Sequence, residues 1–119
     1  MSAFFPIVIH HNAECGTSRN VLALLWEKGI EPKVVEYLKV GWTADQLADL
    51  VTATGGNLNA ILRVQGTQAQ ALGLTDPAVP EARVIAAMIR DPILVNRPIV
   101  VTVKGAALCR PAERVFDLL

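Results

Sequence analysis

Cys15 is the residue of this sequence that is best suited to nucleophilic chemistry. A short apolar run ends at His11 and Asn12, and helical spacing of apolar residues begins at Thr17, so the thiol lies between a predicted strand and a predicted helix. Backbone N–H groups at a helix start stabilise a thiolate, which is the reactive form of cysteine. We therefore predict a nucleophilic Cys15, although the same position also suits a small buried residue that only packs.

The three residues after the cysteine suit an anion. Gly16 allows the backbone to approach a ligand closely, and the hydroxyls of Thr17 and Ser18 are expected to cap the helix and to donate to a bound oxyanion. The spacing resembles a redox Cys-x-x-Cys loop with Ser18 in the second position, so a disulfide at that spacing is impossible. Phosphatase-like loops place an arginine six residues after their cysteine. Here Val21 stands there, which disfavours that class.

The remaining cysteine and the two histidines have simpler interpretations. A metal site of His10, His11 and Cys15 is disfavoured because neighbouring strand residues point to opposite sides and no fourth ligand is evident. Cys109 stands beside Arg110 at a predicted strand end and is expected to be a buried hairpin thiol rather than a reactive one. Both cysteines are expected to be free, since a domain with this apolar content does not need a disulfide.

The predicted elements alternate in a way that is typical of an α/β fold. An apolar strand comes first, then a helix, a second strand, a helical segment, a β-hairpin and a last helix. This order predicts a mixed sheet that is flanked by helices. The predicted strands are residues 5–10, 33–38, 99–103 and 106–109, and the predicted helical stretches are 17–28, 43–54, 57–74, 81–90 and 111–119.

Composition limits the function classes. The 119 residues suit a single domain, and 52% apolar with 18% charged residues exclude a disordered chain. Eleven basic and eleven acidic residues balance, so we expect neither a nucleic acid nor a membrane as a partner. The apolar stretch at residues 3–9 is interrupted by Pro6 and is too short to span a bilayer, which predicts a soluble cytoplasmic protein.

Four segments of the chain resemble one known family. Around the cysteine, the sequence HNAECGTSRN resembles the active-site segment of the glutaredoxin-coupled arsenate reductases. The resemblance continues, in the same order, through AILR, DPILVNRPIVVT and LCRP. These segments are residues 11–20, 60–63, 91–102 and 108–111.

The resemblance implies a thioredoxin-like fold with a helical insert at about residues 43–91, all within one domain of residues 1–119. It implies that Cys15 is catalytic and that the bond before Pro98 is cis. It also places at His11 a histidine that would support the thiolate as a protonated imidazole, although a histidine there could instead only hydrogen-bond the loop backbone. It also implies that three arginines hold the substrate, since their planar guanidinium groups match the geometry of an oxyanion. Taken alone, each of these arginines resembles an ordinary surface charge. These arginines are Arg63, Arg97 and Arg110.

For the reaction, the resemblance implies reduction of arsenate to arsenite, with glutathione as a co-substrate, glutaredoxin as a partner and no bound cofactor or metal. Two alternatives stay open. One is a regulator similar to the Spx proteins, which bind RNA polymerase and typically carry a Cys-x-x-Cys. The other is a glutathione-dependent reductase with another substrate.

The motif departs from the family pattern just before the cysteine. Ala13 stands where the family usually has proline, which removes a fixed backbone angle from the loop. Glu14 adds a carboxylate that we expect to face solvent, since an inward carboxylate would repel an oxyanion. Arg19 either faces the anion or points to solvent, and it stays outside the predicted trio.

Overall fold

A computed structural model describes residues 7–119. Backbone contacts divide the chain into two compact units: the first joins the segment that ends at Tyr37 with Arg97–Leu119, and the second is Leu38–Asn96. Each unit has its own buried residues. Within residues 7–119, every helix is too short or too polar to cross a membrane. The prediction of a single domain stays a prediction.

The first unit contains four strands: β1 Val8–His11, β2 Lys33–Glu36, β3 Ile99–Thr102 and β4 Gly105–Leu108. They form one sheet in the order β2-β1-β3-β4. Strand β1 pairs in parallel with β2 and antiparallel with β3, and β3 and β4 form an antiparallel hairpin. The predicted mixed sheet is therefore confirmed, although the start of its first predicted strand lies outside the described residues.

Helix α1, Gly16–Glu27, covers the sheet through Val21 and Leu25, which are fully buried against Ile9 of β1. It begins one residue before the predicted start, and its N-cap residue is Cys15, which makes no side-chain capping bond. The prediction that the hydroxyls of residues 17 and 18 cap this helix was therefore wrong. The same buried cluster includes Val115 of a final 3-10 helix, Ala112–Leu118, where a regular helix was predicted.

The turn between β3 and β4 lies one residue earlier than predicted. Thr102 pairs with Gly105, so the turn consists of Val103 and Lys104 rather than Lys104 and Gly105. Gly105 has a φ of 134°, a backbone conformation that favours glycine, and it starts β4. This register places Leu108 beside Ile99 at the other end of the hairpin.

The second unit contains the predicted helical segment between β2 and β3. The predicted helix at residues 81–90 is confirmed, and a capping box of Thr43 and Gln46 begins the helix in the predicted stretch 43–54. Residues 57–74 form only a short 3-10 turn, Leu58–Ala60, because Gly66 and Gly73 adopt positive φ angles that end helical structure. The helices are α2 Tyr37–Val40, which begins at the last residue of the first unit, α3 Ala44–Ala53 and α4 Glu81–Arg90, with a further 3-10 turn at Pro92–Leu94.

The capping box gives a direct test of helix α3. The Thr43 hydroxyl accepts the Gln46 N–H at 3.1 Å, so Thr43→Ala is expected to lower the free energy of unfolding by about 1 kcal/mol. The matched control is Thr52→Ala in the same helix, because the Thr52 hydroxyl bonds only the Ala48 carbonyl one turn back. Urea unfolding measures both variants, and equal losses of stability would contradict the capping role.

Candidate active site

Three segments of the first unit meet beside Cys15. His10, near the end of β1, pairs with Ile99 at the start of β3, and Ile99 pairs with Leu108 at the end of β4. The Cys109 N–H continues the ladder by donating to the Pro98 carbonyl at 2.9 Å. The cysteine loop follows β1, Arg97 precedes β3, and Arg110 follows β4. The antiparallel pairing therefore brings these three segments to one edge of the sheet.

Cys15 is buried, with 8% of the residue exposed, and hydrogen-bond donors surround its sulfur. Nη1 of Arg110 lies 3.5 Å from Sγ and also donates to the Arg97 carbonyl at 3.2 Å. The Arg97 guanidinium and the backbone N–H of Ser18 donate to the same sulfur. The bonds before Pro98, as the resemblance implies, and before Pro111 are both cis.

These donors decide the ionisation of the thiol. Burial raises the pKa of Cys15, but the Ser18 N–H, the Arg110 hydrogen bond and the nearby Arg97 charge lower it by more, so the pKa lies below its ordinary value. A sulfur held in this way is prepared to act as a thiolate nucleophile. Two guanidinium groups next to it can also bind an oxyanion.

The surroundings of His11 disfavour a positive charge on its ring. Burial lowers its pKa, the Glu36 carboxylate raises it, and the Arg19 cation lowers it again, with a net lowering. The lowered pKa disfavours the protonated imidazole that the resemblance implies, because burial and the Arg19 charge together outweigh Glu36. The role of His11 in catalysis stays a prediction. Burial also lowers the pKa of His10 to about 4. Among residues 7–119, no group of three His, Cys, Asp or Glu side chains is arranged to hold a metal ion.

The Ser18 hydroxyl is part of the loop's own hydrogen-bond network. Ser18 is fully buried, its Oγ accepts the Asn12 N–H at 3.1 Å, and it lies 2.6 Å from Nδ1 of His11. This geometry fits a neutral imidazole whose Nδ1 accepts the serine O–H. The hydroxyl that was predicted to bind substrate therefore holds the loop, while the Ser18 backbone N–H faces the sulfur.

Asn12 shapes the loop before the cysteine, a role that the sequence did not predict. Its carbonyl accepts the Cys15 N–H at 3.0 Å, and its side-chain Oδ1 accepts the Glu14 N–H at 2.9 Å. An asparagine that accepts the N–H two residues later is a recognised turn signal, and that signal was available in the sequence. The turn leaves Glu14 exposed, as predicted.

The other predicted substrate contacts are less defined. Gly16 is exposed and Thr17 is half-buried in the first turn of α1, and their predicted contacts with an oxyanion stay predictions. Arg63 belongs to the second unit, where its N–H donates to the Leu94 carbonyl at 2.8 Å and its Nε donates to the Gln65 carbonyl at 3.0 Å. Its predicted contact with substrate also stays a prediction.

Cys109 is a buried thiol, as predicted. Its side chain is fully buried with Sγ 3.6 Å from the Ala107 carbonyl, and both cysteines are free. Burial raises the pKa of Cys109 to about 11, although the Arg114 charge opposes this shift. This thiol is therefore protonated at neutral pH and unreactive there.

Comparison with known proteins adds independent evidence. The ArsC family model matches residues 10–118. The chain is 50% identical to the arsenate reductase ArsI2 of Synechocystis over 95% of this chain and 81% of that protein, and 42% identical to an arsenate reductase of Escherichia coli K12 over 95% and 80%. A solved arsenate reductase from Vibrio cholerae superposes with a TM-score of 0.92 at 36% identity, covering 98% of this chain and all of that one. The predicted thioredoxin-like fold is thereby confirmed.

The opposite pKa shifts of the two cysteines predict selective alkylation. Iodoacetamide reacts with thiolates, so at neutral pH it is expected to modify Cys15 and to spare Cys109. Because the pKa of Cys15 is lowered, its rate should rise with pH and level off below the pH at which an ordinary thiol does. Arg110→Ala removes a donor to the sulfur, so the profile should move to higher pH and the rate at neutral pH should fall several-fold.

Mass spectrometry of the two cysteine-containing peptides measures these rates. Arg90→Ala is the matched control, because it removes the same charge from an exposed helix position in the second unit. Its profile should equal that of the parent. A profile that Arg110→Ala leaves in place would show that this arginine does not stabilise the thiolate.

Proposed function

This chain belongs to the ArsC family, and we propose that it is an arsenate reductase whose nucleophile is Cys15. One observation carries the proposal: two guanidinium groups and a helix N-terminal N–H converge on a sulfur whose pKa is lowered. Relatives that share half of the residues over nearly the whole chain are named arsenate reductases, which supports arsenate as the substrate.

Substrate binding is assigned to the arginines beside the sulfur. Arsenate is largely a dianion near neutral pH, and a guanidinium fork can pair with two of its oxygens at once. Arg97 and Arg110 lie on the two sides of the β-hairpin end, so they can hold the anion next to Cys15. They also stabilise the negative charge that builds up on the oxygens as the thiolate attacks. Arg63 remains a third candidate on the resemblance alone.

The first chemical step forms a bond without changing the oxidation state of arsenic. The Cys15 thiolate attacks arsenic, an arsenate oxygen leaves as water after taking up two protons, and a sulfur–arsenic(V) adduct remains. Glutathione then replaces a second oxygen, which also leaves as water. The arsenic now carries two sulfur ligands, one from the protein and one from glutathione.

Reduction occurs when a glutaredoxin thiolate attacks the glutathione sulfur. The electron pair of the sulfur–arsenic bond passes to arsenic, which becomes arsenic(III), and the glutaredoxin leaves as a mixed disulfide with glutathione. Water then hydrolyses the bond between Cys15 and arsenic, which releases arsenite and restores the thiol. The chain supplies no second reactive thiol beside Cys15, since Ser18 occupies the second position of the motif and the other thiol, Cys109, is buried and protonated. A glutathione-dependent reaction fits the reducing cytoplasm.

In this scheme His11 and Ser18 hold the loop and do not carry protons to the substrate. The hydroxyl of Ser18 joins the imidazole to the Asn12 backbone, which fixes the strand end relative to the first turn of α1. That connection keeps the Ser18 N–H directed at the sulfur. A neutral imidazole serves this purpose because its Nδ1 can accept the hydroxyl proton.

The central test is arsenate-dependent consumption of NADPH with glutathione, glutaredoxin and glutathione reductase. Cys15→Ser is expected to abolish turnover, because a serine hydroxyl is not ionised at neutral pH. Cys109→Ser is the matched control and should keep most of the parent activity, since that thiol is buried and protonated. Turnover that survives Cys15→Ser would contradict the proposal, and a polymerase-binding regulator would show no turnover in any variant.

The proposed arginine contacts are tested by the kinetics of arginine variants. Arg97→Ala is expected to lower kcat/KM for arsenate about 10-fold to 1000-fold, because one donor to the developing charge is lost. Arg63→Ala is expected to lower kcat/KM as well, because the resemblance assigns this arginine to the substrate. Arg114→Ala, an exposed arginine on the final 3-10 helix, is the control and should change little. Steady-state kinetics decide, and parent-like kinetics in Arg97→Ala would remove that arginine from the site.

A further inference from the structure

Arg19 lies across the loop that carries Cys15. Its backbone N–H closes the first helical hydrogen bond to the Cys15 carbonyl at 3.0 Å, and its side chain reaches back so that Nη1 donates to the Ala13 carbonyl at 2.7 Å. A Cβ built at Gly16 would lie 3.6 Å from the other terminal nitrogen of the guanidinium, so the side chain passes beside that glycine. The guanidinium thus ties the loop to the helix.

The segment it holds is a tight turn of residues 12–15. The Cys15 N–H bonds the Asn12 carbonyl, and Ala13 occupies the second position of the turn. Proline is favoured at that position because its ring fixes φ, whereas alanine leaves φ free. Among residues 7–119, the Ala13 N–H donates no hydrogen bond, so a proline there would cost the turn none.

We propose that Arg19 is a positioning residue that fixes this turn through the Ala13 carbonyl and thereby directs the Cys15 sulfur toward its donors. The inference rests on the proposed function for its catalytic meaning. In structural terms, the hydrogen bond from Arg19 to the Ala13 carbonyl restrains the turn, as a proline ring at residue 13 would otherwise do. Arg19 therefore matters most when residue 13 is alanine.

The contacts separate this role from substrate binding. The sulfur receives hydrogen bonds from Arg97, Arg110 and the Ser18 backbone, and Arg19 is not among the groups that shift its pKa. The Arg19 donor is instead directed at a backbone carbonyl of the loop. Its charge has one further effect, since it lowers the pKa of His11 and so favours the neutral ring that accepts the Ser18 hydroxyl.

The test compares the parent with Arg19→Ala, Ala13→Pro and the double variant. Two readouts are taken: the rate at which iodoacetamide alkylates Cys15 at neutral pH without arsenate, and kcat and KM for arsenate. Proline adds no charge and no donor, so it can restore geometry but cannot replace an anion-binding cation. Arg83→Ala, an exposed arginine of α4, controls for the loss of one positive charge.

Arg19→Ala is expected to slow alkylation and to lower kcat by roughly threefold to tenfold, because one charge-assisted hydrogen bond at an exposed position is lost. KM should change by less than about twofold. Ala13→Pro alone should behave like the parent. The double variant should recover most of the lost alkylation rate and kcat, because the ring restrains the turn again. Arg83→Ala should match the parent in both readouts.

Two results would overturn the proposal. In the first, Arg19→Ala leaves alkylation and kcat unchanged, whether or not KM rises; a raised KM would identify a substrate-binding arginine. In the second, the double variant remains as slow as Arg19→Ala while its circular dichroism and melting temperature match the parent. Alkylation needs no arsenate, so a parent that fails to reduce arsenate would refute the proposed function while the alkylation rates still decide the role of Arg19.

Discussion

A buried thiolate has lost its hydration, so the protein must hold hydrogen-bond donors and positive charge beside it. This constraint explains how the first unit arranges the groups around Cys15. Burial alone raises the pKa of Cys15, so an ionised sulfur requires hydrogen bonds and positive charge that outweigh the loss of water. Three groups provide them: the Ser18 N–H, Arg110 and Arg97. Cys109 shows the opposite case in the same unit, since burial without comparable donors raises its pKa to about 11.

The sheet topology satisfies this constraint with groups that are far apart in the sequence. Strand β1 delivers the cysteine loop, and the β3–β4 hairpin delivers one arginine before its first strand and one after its second. Helix α1 adds the N-terminal N–H groups, and its apolar face fixes the helix on the sheet through Val21 and Leu25. The same two arginines that stabilise the thiolate are placed to bind an anion.

The sequence predicted what local pattern and chemistry determine. The cysteine at a strand-to-helix junction, the helix at residues 81–90 and the hairpin were all evident from spacing and turn residues. The charge of His11 was not predictable, because it depends on burial and on the Arg19 cation rather than on its neighbours in the sequence. The Ser18 hydroxyl contacts the Asn12 N–H and the His11 ring, and the apolar spacing of α1 does not reveal such a contact between helix and strand end.

The most direct test of the account is a titration of the Cys15 thiol in a Cys109→Ser background, followed by the ultraviolet absorbance of the thiolate. The account predicts a midpoint below that of an ordinary thiol, and a midpoint that moves upward when Arg97 and Arg110 are both replaced by alanine. A midpoint at or above the ordinary value in the folded protein would contradict it, because the donors around the sulfur would then not outweigh its burial.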